Sequence, residues 1–107
     1  MRETTDEEGH PVDVTLLYFE GCPSWQTADA RLAELADELG FTVTRRQVTS
    51  PEKAKEVGFR GSPTVLVDGR DVFAEGHEPV GLSCRVYQTA DGPAGAPTLA
   101  QLRAVLA

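Results

Sequence analysis

The chain has 107 residues, of which 40% are apolar and 25% are charged, and its formal net charge is −7. This length suffices for one domain with a hydrophobic core, and no apolar stretch approaches the roughly 20 residues of a membrane-spanning helix. The negative charge argues against a nucleic acid or an anionic membrane surface as a partner, because both require a basic face.

Residues 1–11 are polar and acidic, which predicts a disordered acidic tail ahead of one domain over residues 12–107. Because this N-terminus carries no apolar signal core, we expect a cytoplasmic protein. Thiols stay reduced in that compartment, so a permanent disulfide is not expected. The two cysteines, Cys22 and Cys84, are too few for a disulfide framework.

A strand and a helix are predicted at the start of the domain. Residues 12–19, VDVTLLYF, alternate at first and then become continuously apolar, which is typical of a strand buried on both faces at its far end. Residues 21–40 predict a helix. Cys22 takes its N-cap, Pro23 its first position and Gly40 its C-cap. Its apolar stripe recurs at spacings of three and four: Trp25, Ala28, Leu32, Leu35 and Leu39.

The next elements continue the alternation of strands and helices. Residues 41–48 predict a second strand, and its two arginines favour a sheet edge. Residues 50–58 predict a short helix that Ser50 caps. Residues 63–67 form a β-branched run that predicts a buried strand, and the Asp-Gly pair at 68–69 predicts a tight turn after it.

The second half of the domain is less regular. Residues 70–81 predict either a short return strand at 70–73 or one long excursion. Residues 82–87, LSCRVY, are a strand candidate next to the strand that Pro63 opens, and residues 88–97 predict a loop rich in Gly, Pro and Ala. Leu82, Cys84 and Val86 alternate on one face of the strand candidate, which is its inward face if Cys84 is a core residue.

The last helix is predicted over residues 98–107, where Thr98 and Gln101 have the spacing of a capping box. The element order is then β-α-β-α-β-β-α. The alternating first half favours parallel strands with helical crossovers, and the second half closes with an antiparallel pair. The predicted fold class is therefore α/β, with a central mixed four-stranded sheet and helices on both faces.

Cys22 is the candidate nucleophile. Free N–H groups and the positive end of the helix dipole favour a thiolate at a helix start, where cysteine pKa values fall from about 8.5 to between about 3.5 and 7.5. Glu20 opposes this effect if its carboxylate lies close. A thiolate attacks disulfides and also binds soft metals. Free cysteine is otherwise often a small buried apolar group.

Two motifs resemble those of the thioredoxin-like family: LLYFEGCPSW at residues 16–25 and GSPT at residues 61–64. The resemblance extends over the whole predicted domain. It implies that Pro63 is cis and faces Cys22, and that the backbone of Ser62 lines a substrate groove. Taken by itself, the GSP sequence predicts an ordinary turn before a strand.

Trp25 marks a departure from that family. Its dithiol members carry a second cysteine at this position, so the resolving thiol is missing from the motif, and Trp25 is expected to pack into the helix–sheet seam or to floor the site. In the remaining monothiol route, Cys22 attacks a disulfide and another thiol resolves the mixed disulfide. Cys84 is the candidate for that thiol, but its alternation with Leu82 and Val86 fits a core residue equally.

The candidate catalytic residues are Cys22 and Cys84, and the candidate substrate-binding residues are Pro23, Trp25, Ser62 and Pro63. The preferred interpretation is a thiol–disulfide oxidoreductase of monothiol type, which acts through Cys22 on a protein or a low-molecular-weight thiol or disulfide, without a cofactor or a bound metal.

Two further interpretations stay open. The layout is also similar to that of small proteins described as alkylmercury lyase-like, which implies soft-metal or organomercurial chemistry with Cys22 and Cys84 as ligands. The lyases add an aspartate to two cysteines, and neither Asp29 nor Asp68 is obviously placed for that role. A non-catalytic scaffold with inert thiols is the other interpretation. His77 is a candidate proton shuttle or metal ligand, although a lone loop histidine is more often solvent-exposed.

Overall fold

The computed structural model describes residues 12–76 and 78–107, so the predicted tail at 1–11 and His77 lie outside the described residues. The elements in chain order are β1 (Asp13–Tyr18), α1 (Ser24–Leu39), β2 (Thr42–Gln47), α2 (Pro51–Val57), β3 (Thr64–Val67), β4 (Arg70–Asp71), β5 (Tyr87–Thr89), β6 (Gly92–Ala94) and α3 (Leu99–Leu106). No helix within the described ranges has both the length and the apolar character needed to cross a membrane.

A four-stranded sheet in the order β2-β1-β3-β4 forms the centre of the molecule. Strand β1 is parallel to β2, whereas β3 is antiparallel to both β1 and β4. The predicted mixed sheet is thereby confirmed, and so is the edge position of β2. Of the two alternatives for residues 70–81, the short return strand forms as β4, which has two residues.

Helices pack on both faces of this sheet. Leu16 and Leu17 are consecutive residues of β1, so their side chains point to opposite faces. Leu16 joins the larger core, in which α1 and α3 contribute Ala28, Leu32, Leu35, Leu102 and Leu106. Leu17 joins a smaller core that α2 covers, with Val48, Ala54 and Phe59.

Most helix ends follow the sequence signals. Gly40 ends α1 in the left-handed conformation, with φ of 84°. Ser50 caps α2 by accepting a hydrogen bond from the Lys53 N–H at 3.1 Å. Thr98 and Gln101 form the predicted capping box at the start of α3.

The start of α1 corrects one prediction. Pro23, not Cys22, is the N-cap, and the helix begins at Ser24. The reason is that the Cys22 and Pro23 carbonyls accept N–H groups three residues ahead, from Trp25 at 3.3 Å and Gln26 at 3.0 Å. This tighter first turn precedes the regular helix and places Cys22 one residue before the cap.

The stretch at 82–87 does not form the predicted strand. Within residues 82–86, only Cys84 pairs, in a single parallel bridge with Ser62, and Tyr87 begins β5. The facing is also reversed, because Arg85 and Tyr87 are 5% and 4% exposed while Val86 is 63% exposed. The polar tips of Arg85 and Tyr87 find partners inside the molecule, and burial of that face leaves Cys84 exposed.

The predicted loop at 88–97 is partly a hairpin. Strands β5 and β6 pair antiparallel, with Tyr87 opposite Ala94. The Thr89 hydroxyl donates to the Gly92 carbonyl at 2.6 Å across the turn. The composition of this stretch predicts the turn correctly but does not predict the two strands, because Gly, Pro and Ala have low strand propensity.

Candidate functional site

Cys22 and Cys84 are joined by a disulfide, with their Cα atoms 5.6 Å apart and a sequence separation of 62 residues. Neither cysteine is free. Cys84 is therefore bonded to Cys22 and is exposed, so it is not the core residue that its alternation also allowed. It also differs from the reduced state expected of a cytoplasmic chain.

The two halves of the bridge differ in exposure. Cys22 is 2% exposed and belongs to the buried apolar residues. Cys84 is exposed. Cys84 is therefore the more exposed residue of the two, and disulfide exchange requires direct access to the sulfur that is attacked.

Cys22 lies in a turn between β1 and α1. Its N–H donates to the Phe19 carbonyl at 3.1 Å, and its own carbonyl accepts from Trp25. Pro23, the N-cap, is exposed. The disulfide thus begins at the N-terminal end of a 16-residue helix, where the dipole favours negative charge.

The Ser62–Pro63 turn lies beside Cys84. The Ser62–Pro63 peptide bond is cis, as the resemblance implies. Ser62 is fully buried, and its hydroxyl accepts the Phe19 N–H at 2.9 Å. This bond ties the turn to the end of β1, close in sequence to Cys22.

The backbone of Ser62 is already paired within the chain. Its N–H donates to the Ser83 carbonyl at 2.8 Å, and its carbonyl accepts the Arg85 N–H at 3.0 Å. The family resemblance implies that this backbone lines a substrate groove. In the structure, this backbone is paired with Ser83 and Arg85, on either side of Cys84.

Tyr87 and Thr64 satisfy the neighbouring carbonyls of the turn. The Tyr87 hydroxyl donates to the Pro63 carbonyl at 2.5 Å, and the Thr64 hydroxyl donates to the Gly61 carbonyl at 2.6 Å. Burial raises the pKa of Tyr87, so its hydroxyl keeps its proton and stays a donor.

Arg85 forms a buried ionic cluster next to Cys84. Its guanidinium binds Asp71 through two nitrogens at 2.7 and 3.3 Å. It also donates to the Thr64 hydroxyl at 3.3 Å and lies 3.8 Å from the Glu78 carboxylate. The same group lies 4.8 Å from the centre of the Tyr87 ring.

The charges in this cluster reinforce one another. Burial by itself lowers the pKa of Arg85, but the hydrogen bond to Asp71 and the nearby charges raise it above its ordinary value. Hydrogen bonds from the backbone, first that of Glu75, lower the pKa of Glu78. Both groups are therefore charged at neutral pH.

Trp25 packs in the helix–sheet seam, which is one of the two roles predicted for it. Its ring stacks on Tyr18 with centroids 4.2 Å apart, and it contacts the larger core. Within the described part of the chain, its indole N–H has no hydrogen-bond partner.

The described residues contain no group of three or more His, Cys, Asp or Glu side chains that could hold a metal ion. Asp29 pairs with Arg45 at 2.6 Å, and the Asp68 carboxylate accepts the Asp13 N–H at 3.1 Å. Both of the aspartates considered from the sequence therefore have partners away from the cysteines.

Sequence reasoning missed Arg85 and its partner Asp71. Arg85 follows Cys84, so the alternation places it on the face opposite Leu82 and Val86. The available signal was Tyr87, which is two residues after Arg85 and therefore on the same side of an extended segment. Its ring is a larger apolar group than the Val86 side chain on the other side. Burying Tyr87 places Arg85 inside.

The fold and the site define the class of protein: a small α/β protein with one disulfide between a helix start and an irregular segment. No protein-family model matches the chain. A search of curated proteins also finds no relative.

Proposed function

We propose that the protein is a thiol–disulfide oxidoreductase of thioredoxin-like type that cycles between the Cys22–Cys84 disulfide and two thiols. The observation that carries the proposal is the asymmetric bridge: one buried cysteine at a helix start and one exposed cysteine on an irregular segment. The mixed sheet with helices on both faces and the Ser62–Pro63 turn support it.

The exposure difference sets the direction of attack. An external thiolate attacks the Cys84 sulfur, forms a mixed disulfide with it and expels Cys22 as a thiolate. A second external thiolate then attacks the external sulfur and releases the Cys84 thiolate. The external thiols leave as a disulfide, and the protein gains two electrons. When both cysteines end as protonated thiols, the protein also gains two protons.

The position of Cys22 suits a leaving group. Thiols of low pKa leave faster in disulfide exchange, and the start of α1 favours the thiolate over the thiol. This assignment gives Cys22 and Cys84 complementary roles. It differs from the monothiol route, in which Cys22 attacks first and alone.

The remaining proposed contacts divide by exposure. Pro23 is exposed next to Cys22 in the chain, so it is the group that a docked thiol substrate touches. Ser62 and Pro63 are buried, and the Ser62 backbone holds Cys84 in place through its hydrogen bonds to Ser83 and Arg85. Trp25 supports the start of α1 through its packing.

A cytoplasmic location is part of the proposal. Disulfides of cytosolic proteins are usually transient and serve catalysis or redox sensing. A bridge that forms and breaks during exchange therefore fits that compartment, whereas a permanent one does not.

A structural disulfide is the second candidate role, because the bridge joins positions 62 apart and one sulfur is buried. Cross-links that close long loops stabilise a fold most. In this case the thiols would be inert scaffold groups.

Turnover with single-cysteine variants tests the proposal. Reduction of hydroxyethyl disulfide by glutathione is measured for the wild type, Cys22→Ser and Cys84→Ser. We expect both variants to lose activity. Loss only in Cys22→Ser supports the monothiol route, and an inactive wild type supports the structural role. One Hg(II) bound per reduced chain, abolished by either substitution, indicates the soft-metal alternative.

Thiol labelling tests the direction of attack. We expect Cys84 in the Cys22→Ser variant to react faster with iodoacetamide than Cys22 in the Cys84→Ser variant, after correction to the thiolate fraction across pH. A local opening that costs about 1.4 kcal/mol slows labelling of the buried thiol about tenfold. Equal corrected rates contradict the assignment.

A further inference from the structure

The segment that carries Cys84 has little strand pairing to hold it. Ser62 and Cys84 form an isolated bridge with two backbone hydrogen bonds, and residues 83–85 belong to neither sheet. When the disulfide is reduced, other contacts must keep Cys84 near Cys22.

Arg85, the next residue in the chain, supplies those contacts. Its side chain is 3% exposed and binds groups on separate elements. Thr64 lies in β3, Asp71 in β4 and Tyr87 in β5. The planar guanidinium has one favourable placement in this site, because two of its nitrogens donate hydrogen bonds to the two oxygens of the Asp71 carboxylate.

The close approach of Gly61 reinforces this placement. A Cβ added to Gly61 would lie 3.0 Å from the Arg85 Cβ and 3.2 Å from its Cα. The backbone of the turn therefore packs directly on Arg85. Consecutive Cα atoms are about 3.8 Å apart, so an anchored Arg85 restricts how far Cys84 can move.

We propose that Arg85 is a positioning residue, which keeps Cys84 opposite Cys22 in the reduced protein and so favours closure of the disulfide. The proposal rests on the proposed exchange function. It adds that Arg85 helps to set the equilibrium between the Cys22–Cys84 disulfide and the two thiols. The reaction is Cys22–S–S–Cys84 plus two glutathione thiols, giving two protein thiols plus glutathione disulfide. A held Cys84 raises the effective concentration of one thiol at the other and shifts this reaction toward the protein disulfide.

The test is the equilibrium with glutathione, measured for the wild type, Arg85→Lys and Arg60→Lys. Arg85→Lys keeps the positive charge but cannot form the two parallel hydrogen bonds to the Asp71 carboxylate. Arg60→Lys is the matched control, since Arg60 lies 3.9 Å from Glu78 and is partly exposed. We expect Arg85→Lys to shift the equilibrium toward the dithiol by about tenfold, or about 30 mV for two electrons, and Arg60→Lys to shift it by less than about twofold.

Equal shifts in the two variants, or no shift in folded Arg85→Lys, overturn the proposal. All variants are purified oxidised, so the covalent bridge holds the segment while circular dichroism checks the fold. An oxidised Arg85→Lys that is unfolded also overturns it, because Arg85 would then determine the whole fold rather than the position of Cys84.

Hydrogen exchange in the Cys22→Ser/Cys84→Ser background separates this proposal from the proposed function. We expect the Ser62 and Arg85 amide protons to remain protected without a bridge, and adding Arg85→Lys to remove that protection. Unprotected amides in the double-serine protein refute the positioning role. A wild-type protein that does not exchange with glutathione refutes the function alone.

Discussion

At the scale of single residues, the close contact between Gly61 and Arg85 makes the site sensitive to one methyl group. Gly61 has φ of 108° and packs against the backbone of Arg85. We expect Gly61→Ala to lower the free energy of unfolding, because the left-handed backbone costs about 1–3 kcal/mol for a residue with a side chain and the added Cβ also displaces Arg85. Urea denaturation of the oxidised protein measures the loss.

Gly40→Ala is the matched control for that substitution. Gly40 also has a positive φ, 84°, but nothing lies within 4 Å of an added Cβ. It therefore reports the backbone cost without the contact. A Gly40→Ala variant as unstable as Gly61→Ala would show that the approach of Arg85 adds nothing.

Glu78 gives the site a dependence on pH. Hydrogen bonds from the backbone, that of Glu75 first, lower its pKa below the ordinary value of 4.5. Its charge therefore stabilises the fold above that value, and the contribution disappears as pH falls through the lower folded pKa. We expect Glu78→Gln to be less stable than the wild type at neutral pH.

Unfolding of both proteins between pH about 7 and about 3 checks the sign, because the carboxyl titrates in that range. The stability difference should shrink on acidification. Glu20→Gln, at an exposed turn position, controls for the loss of one negative charge. A difference that persists at the lowest pH would show that the carboxylate charge is not responsible.

At the scale of elements, α3 depends on its cap. It has eight residues, too few for a stable isolated helix, and it contributes Leu102 and Leu106 to the larger core. The Thr98 hydroxyl accepts the Gln101 N–H at 3.0 Å. We expect Thr98→Ala to reduce stability by about 1 kcal/mol, measured by urea denaturation. Thr98→Ser keeps the hydroxyl, and an equal loss in that variant would contradict the capping explanation.

The elements also show where local sequence stops being informative. The ends of α2 and α3 follow from Ser50, Thr98 and Gln101, because caps depend on residues within one turn. The facing of the 82–87 stretch was predicted wrongly. The buried guanidinium of Arg85 is paired with the carboxylate of Asp71, which lies 14 positions earlier in the chain. The alternation of residues within the stretch contains no information about that partner.

At the scale of the whole molecule, the disulfide closes a long loop between the first helix and the irregular segment. Its sequence separation of 62 residues corresponds to about 4 kcal/mol in the chain-entropy estimate. We expect Cys22→Ser/Cys84→Ser to be less stable than the oxidised wild type by up to about that amount and to remain folded.

Denaturation with and without dithiothreitol measures the effect. The reduced wild type should match the double variant, whose stability should not respond to the reductant. A double variant that is unfolded in buffer would show that the fold depends on the bridge, which a protein that cycles between disulfide and dithiol cannot tolerate.

The sequence by itself determined the mixed sheet, the helices on its two faces and the placement of Cys22 beside the start of a helix, because these depend on patterns within a few turns or strands. Resemblance to a known family supplied the cis bond at Pro63. Only the tertiary structure decided that Cys84 is bonded to Cys22 and that Arg85 lies inside. Those outcomes depend on residues far apart in the chain, which meet only once the sheet has assembled.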